Sequence, residues 1–225
     1  MLSGPRAQVF SVICGLLAGP TFIFGWVAGG LAQQDEYSWL DDAMSDLGAE
    51  TAARPWLFNQ LGANLAGALL LVFAIGLWRS LGRHRSARIG AFLVGVVGVA
   101  SFLDGLFRLD CRAMDPGCES SDASWRGTAH GITSTFTFLA FALAPFVLAR
   151  ALKLAPRWRD LWRPTLAFGI GTIATLVGGG FIGEEFGTRV GTTVWFAWIA
   201  VLAIRLLRLA GEEAPGAQPA REVLQ

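Results

Sequence analysis

The stretch from Trp56 to Arg88, WLFNQLGANLAGALLLVFAIGLWRSLGRHRSAR, decides the fold. Trp56 to Trp78 contains no charged residue, and its length suits a helix crossing the ~30 Å hydrocarbon core of a bilayer. Arg79, Arg83, Arg85 and Arg88 follow at once, and a second apolar run opens at Ile89. Basic residues in short connections resist translocation, so this is a helical hairpin whose turn stays in the cytoplasm.

The same alternation extends in both directions. Apolar runs predict spans at Val9 to Leu31, Trp56 to Trp78, Ile89 to Phe107, Gly131 to Ala149, Thr165 to Ile182 and Val190 to Leu207. With the N-terminus inside, the cytoplasmic connections hold 13 of the 18 basic residues, and only Asp160, Glu212, Glu213 and Glu222 of the 17 carboxylates. The fold class is therefore all-α: a polytopic six-helix transmembrane bundle with both termini cytoplasmic. Residues 1–210 form one six-span domain, because no hydrophilic stretch is long enough for another. Residues 211–225, rich in Ala, Pro and Glu, are expected to be a disordered cytoplasmic tail. The setting implied is the cell membrane, plasma or inner, with membrane lipids as partners. The net charge of +1 and the lack of a basic stripe with interleaved aromatics give no footprint for nucleic acid.

Arg6, the apolar first span and the small residues Gly30 and Ala32 resemble a signal peptide, but the apolar run is too long for one, so an uncleaved first helix is expected. Trp26, Trp56 and Trp125 fall at outer span ends and Trp78, Trp158 and Trp162 at inner ones, where indole favours the headgroup zone. Trp195 and Trp198 lie deeper and are read as helix-packing residues. Between Ala155 and Pro164, Trp158, Leu161 and Trp162 recur among arginines, which predicts a segment lying on the cytoplasmic leaflet. Gly15 with Gly19, Gly25 with Gly29, and Gly179 with Gly183 have helix-contact spacing. Packing within the bundle is the main reading, and homo-oligomerisation through these small-residue faces stays open. Gly178-Gly179-Gly180 should weaken the fifth helix near its outer end.

Cys111 and Cys118 share an outer connection, where oxidation is permitted, and a disulfide between them is expected; Cys14 lies within a span as a small apolar residue. No cofactor motif is read and no metal site is assigned, while a mixed His and carboxylate site from Asp104, Asp110 and His130 stays open. A zinc site would need four clustered ligands, and the two histidines, His84 and His130, fall on opposite faces. In the first outer connection, Ser38 could cap a short amphipathic helix placing Tyr37, Leu40, Met44 and Leu47 on one stripe and Asp46 away from it, ended by Gly48. Asp104 sits a turn inside the outer end of the third span, where a charge needs a partner, and Arg108 is four residues on. Asp110, His130 and Asn59 fall at similar depth, so Asp46, Asn59, Asp104, Asp110 and His130 are the outer-face candidates, with His130 expected to approach Asp110 or Asp46. Ser134, on the helix of His130, does not make a nucleophile relay, and any catalytic assignment is left unknown.

The strings Ser45-Asp46-Leu47-Gly48-Ala49, Pro55-Trp56-Leu57-Phe58-Asn59, Gly105-Leu-Phe107-Arg108-Leu-Asp110 and Gly127-Thr-Ala-His130-Gly131 together resemble the bacterial and archaeal multi-pass membrane family catalogued as domain of unknown function number 998. That family is distantly similar to autophagy-modulator and GPI-anchor-remodelling membrane proteins. Where the family pattern has Pro after the third-span Phe, this chain has Arg108. The resemblance implies the topology and draws attention to Asp46, Asn59, Asp110 and His130, but it assigns no reaction. Two functions follow: a helical bundle that binds a lipid, small molecule or protein partner, or a lipid-modifying enzyme or proton-coupled transporter using the outer Asp and His groups.

Overall fold

The computed structural model describes residues 5–33, 37–183 and 185–212, and among them every regular element is helical. The six long helices are α1 (Pro5–Ala32), α2 (Leu65–Ser80), α3 (Arg85–Asp104), α4 (Trp125–Leu154), α5 (Trp162–Gly178) and α6 (Phe186–Glu212). Each packs on its neighbours in sequence, and α6 returns to α1, which closes a ring. Five stretches are long and apolar enough to cross a membrane: Arg6–Ala32, Leu57–Ser80, Arg85–Asp104, Trp125–Leu154 and Phe186–Glu212. The chain is thus built as a multi-pass membrane protein. Its outward-facing side chains agree, since Phe24, Phe92, Phe136 and Leu139 are exposed, as a helix surface in lipid requires.

The ring is filled from α6. Trp195 stacks on Phe141 at 4.7 Å and donates its indole N–H to the Phe141 carbonyl at 3.2 Å. Trp198 donates to Thr165 Oγ1, also at 3.2 Å. Both indoles are fully buried, as their depth in the last span predicts, and each N–H has its acceptor. Trp158 differs from expectation. It is only 2% exposed and belongs to this same core, so the short 3-10 helix Pro156–Leu161 turns it into the protein rather than onto the leaflet. Trp162 is half-buried, with Lys153 and Arg163 against its ring.

Glycines permit the close helix approaches. A Cβ on Gly25 would collide with the backbone of Gly62. One on Gly179 would collide with Gly187, and one on Gly15 with the ring of Phe73. The small-residue faces at Gly15, Gly19, Gly25, Gly29, Gly179 and Gly183 are thus taken up inside the chain. Gly178 ends α5, and Gly179–Phe181 continues as a 3-10 turn, so the glycine run does weaken this helix while bringing it against the start of α6.

Two further features prepare the outer face. Leu57–Asn64 is π-helical, with Leu65 N donating to Gln60 O, and it aims Asn59 and Asn64 in different directions. The first outer connection does not form the predicted amphipathic helix. Ser38 does cap one turn, its Oγ accepting from Asp41 N at 3.2 Å and its carbonyl from Asp42 N at 3.1 Å, but the next carbonyl available, that of Leu40, accepts from Glu185 N and Phe186 N, so the turn is not continued as a helix. A five-residue 3-10 helix, Met44–Gly48, follows, and Tyr37, Met44 and Leu47 pack on Phe58 as a small second core. Leu40, expected on the same stripe, is exposed. The expected tail lies beyond Glu212, outside the described residues, except that Gly211 and Glu212 complete α6.

Candidate functional site

The outer candidates fall into three groups. The first lies between α3 and α4, where His130, Thr133 and Thr137 share one face of α4 at helical spacing. The Asp104 carboxylate accepts from the Thr133 hydroxyl and, at 3.4 Å, from Thr137. His130 Nδ1 stands 4.0 Å from Asp104 Oδ1, too far for a hydrogen bond, and instead meets the carbonyls of Phe107 at 2.8 Å and Asp104 at 3.3 Å. Carbonyl oxygens only accept, so Nδ1 carries the proton and Nε2 is left for other chemistry. The expected Asp104–Arg108 pair does not form. Gly105 ends α3, pressed against Asn59 O and the Asn64 side chain, so Arg108 has left the helix before it can reach back four residues. Neither Asp110 nor Asp46 is a partner of His130, which corrects the expected single cluster.

The second group caps α4. Asp110 takes the Ser124 N–H at 2.7 Å and the Ser124 hydroxyl, while Ser124 Oγ accepts from Gly127 N at 3.2 Å as the N-cap. These two Ser124 donors hold the Asp110 carboxyl below its ordinary range. The Cys111–Cys118 disulfide closes the loop between, with Cα atoms 5.9 Å apart. Inside that loop Arg112 clasps Asp115, which lowers the Asp115 carboxyl, and Thr51 donates to the same carboxylate.

The third group ties the first outer connection to the bundle. Asn59 Nδ2 donates to Gly48 O at 2.9 Å. Asp46 is only 4% exposed, and burial pushes its carboxyl above the ordinary range although the Ala113 N–H pulls the other way. Gln33 Oε1 accepts from Ala53 N at 3.1 Å and Arg112 Nη1 at 3.3 Å, and Glu50 N donates to Leu109 O at 2.9 Å. The two outer connections are thereby laced together.

Arg189, in the first turn of α6, was not among the sequence candidates. It is 5% exposed, donates from Nη2 to the Tyr37 hydroxyl and the Asp42 carbonyl, and lies 5.5 Å over the Tyr37 ring. Among the described residues its buried Nε and Nη1 have no acceptor, nor does the indole N–H of Trp26. Burial pushes the Tyr37 hydroxyl up to about 12, against the opposing effect of Arg189. The sequence did carry a signal: Arg189 is the one charge leading directly into the last apolar run. Thr133 and Thr137 were also legible as the face of His130.

Outside the polar groups, a groove of about 700 Å³ runs along α2, α3 and α4. Trp78 and Arg79 stand at its inner end and Leu103, Thr133 and Phe136 at its outer end, with Ala91, Gly95 and Val99 between. Among the described residues no three His, Cys, Asp or Glu side chains converge as a metal site would require.

The family described as protein of unknown function DUF998 matches residues 16–211, and the chain belongs to it. No curated protein and no solved structure matches significantly.

Proposed function

We propose that this DUF998 protein is a six-span protein of the plasma or inner membrane that binds a membrane lipid from its outer half. Both termini lie in the cytoplasm, α5 with its 3-10 extension supplies the sixth crossing, and residues 1–210 act as one domain. One observation carries the reading: the apolar groove on α2, α3 and α4 ends at Thr133, whose hydroxyl is bound to the half-buried Asp104. An acyl chain along Val99, Gly95 and Ala91 would bring the polar part of its lipid to Thr133, Asp104 and His130. Binding is favoured over catalysis because the outer carboxylates are committed to structural partners: Asp104 to Thr133 and Thr137, Asp110 to Ser124, Asp46 to Ala113.

Gly95 offers a selective test. A Cβ there meets only Ala74 Cβ at 3.7 Å and Leu71 Cδ1 at 3.8 Å, so Gly95→Leu fills the groove without forcing the backbone. Native mass spectrometry of the purified variant should show at least about a tenfold loss of co-purifying lipid, worth about 1.4 kcal/mol. Lipid retained at the wild-type level would sink the reading. For the topology, cysteines placed at Glu50 and Glu185 should react with an impermeant reagent added to intact cells, and one at Arg159 should not. Outside labelling at position 159 reverses the orientation.

A further inference from the structure

The inner end of the bundle holds a second cavity, of about 910 Å³, between α1, α2, the α4–α5 connection and the end of α6. Its walls change character with depth. Val72, Ile75 and Leu209 make the apolar part, one to two helical turns below Arg79 along α2 in the case of the first two. Arg79, Arg83, His84 and Arg157 make the rim, and among the described residues no carboxylate lines the cavity. Beside it Arg157 pairs with Glu212 at 3.0 Å.

Local structure explains how the rim is built. Leu81, buried, caps α2 by donating to Leu77 O, and Gly82 takes a φ of +84°, which turns the chain back so that Arg83 and His84 stand over the opening before α3 begins. The positive-inside tendency accounts for arginines on this side of the membrane, but it does not require a cavity. The level is fixed by Trp78, half exposed beside Arg79 with Arg88 at 5.9 Å from its ring, as at a headgroup boundary. A cationic rim at headgroup level over an apolar interior matches a molecule with an anionic phosphate at one end and a hydrocarbon chain at the other.

We infer that this cavity is a binding site for an anionic phospholipid of the cytoplasmic leaflet, its phosphate held by Arg79, Arg83 and Arg157 and the start of one acyl chain seated against Val72, Ile75 and Leu209. Ile75 and Arg79 border both this cavity and the groove on α2, α3 and α4, but Arg83 lines this cavity alone and Gly95 the groove alone, so variants at those two positions separate the two readings. A phosphate on a soluble ester presents the same charge, and the apolar wall distinguishes the two sources.

The test titrates the full chain in detergent with phosphatidylglycerol, phosphatidylcholine and glycerol phosphate, read by native mass spectrometry. Phosphatidylglycerol should bind more tightly than phosphatidylcholine and resist competition by glycerol phosphate. Arg83→Gln should weaken it about fivefold, the effect of one basic residue near an anionic surface, whereas Arg85→Gln, on the same face but outside the cavity, should leave it unchanged. Arg83 lies in an exposed turn, so this variant keeps its fold, and Arg83→Lys should restore most of the binding. Equal losses for Arg83→Gln and Arg85→Gln would reduce the effect to general surface charge and overturn the site. Equal binding of both lipids would also overturn it. Displacement by glycerol phosphate would reassign the cavity to a soluble phosphate ester.

Discussion

The two ends of this bundle are held by different physics. At the outer end long connections are fixed by polar contacts, buried for Arg189 on Tyr37 and Asn59 on Gly48 and half-buried for Asp110 on Ser124, and by a disulfide in the loop between α3 and α4. At the inner end the connections are short, their charges are mostly exposed, and packing rests on apolar groups such as Trp158, Leu81 and Leu209. Directional bonds specify one arrangement and lose much when a partner is removed, whereas exposed charges contribute little to stability and act through the field they create. That contrast underlies the two proposals, a fixed site at one end and recognition by charge at the other.

The largest effect that would break this contrast is expected at Arg189. Arg189→Ala leaves the Tyr37 hydroxyl and the Asp42 carbonyl without their donor and should cost about 3 kcal/mol, with new protease cleavage in the first outer connection. Arg83→Ala at the inner turn should stay within about 0.5 kcal/mol. Thermal unfolding of the two variants in the same detergent measures both, and similar losses would end the distinction.

A smaller effect sharpens it through pH, because the outer carboxyls are shifted in opposite directions. Asp46 has a raised folded pKa, so its favourable contribution is complete below the unfolded value and is lost as pH rises through the folded one. Asp46→Asn, fixed in the neutral form, should therefore raise stability at neutral pH, and the gain should shrink as pH falls into the carboxylate range. Asp110 and Asp115 are lowered, so their contribution is present above the unfolded value and lost as pH falls through the folded one. Asp110→Asn should lower stability at neutral pH and lose its effect in acid. Unfolding midpoints across that range test both signs, and a parallel response of the two variants would refute the assignment.

What could be read from the sequence follows the range of each interaction. The apolar runs and the paired cysteines are local signals, and the helices, the gathering of the polar residues at one end of the bundle and the Cys111–Cys118 bridge follow them. The partners of Asp104 were misread because the pairing with Arg108 assumed that α3 continues, and Gly105 stops it where the π-helical segment presses in. The helix expected after Ser38 failed for a related reason: its Leu40 carbonyl is claimed by the start of α6, some 145 residues away in the chain. Arg189 is the other half of that contact. Its partners come from the first outer connection, and no periodicity within α6 could name them.

The shortness of α5 has a consequence for the bilayer itself. At a rise of about 1.5 Å per residue its 17 residues reach only about 25 Å, while α4 with 30 extends to about 45 Å. The 3-10 turn Gly179–Phe181, with Phe181 92% exposed, adds about 6 Å at a rise of about 2 Å per residue, which only just reaches the ~30 Å of an average hydrocarbon core. On the six-span reading α5 has no length in reserve, so beside it a bilayer thicker than average must thin or the helix must draw its polar ends inward, each at a fraction of a kcal/mol per Å, while the longer helices have length to spare. The molecule should then prefer thin membranes. Reconstitution in phosphatidylcholines of increasing acyl length should lower its unfolding temperature as the bilayer thickens, and a flat response would mean that α5 does not stand at the lipid boundary as a full crossing.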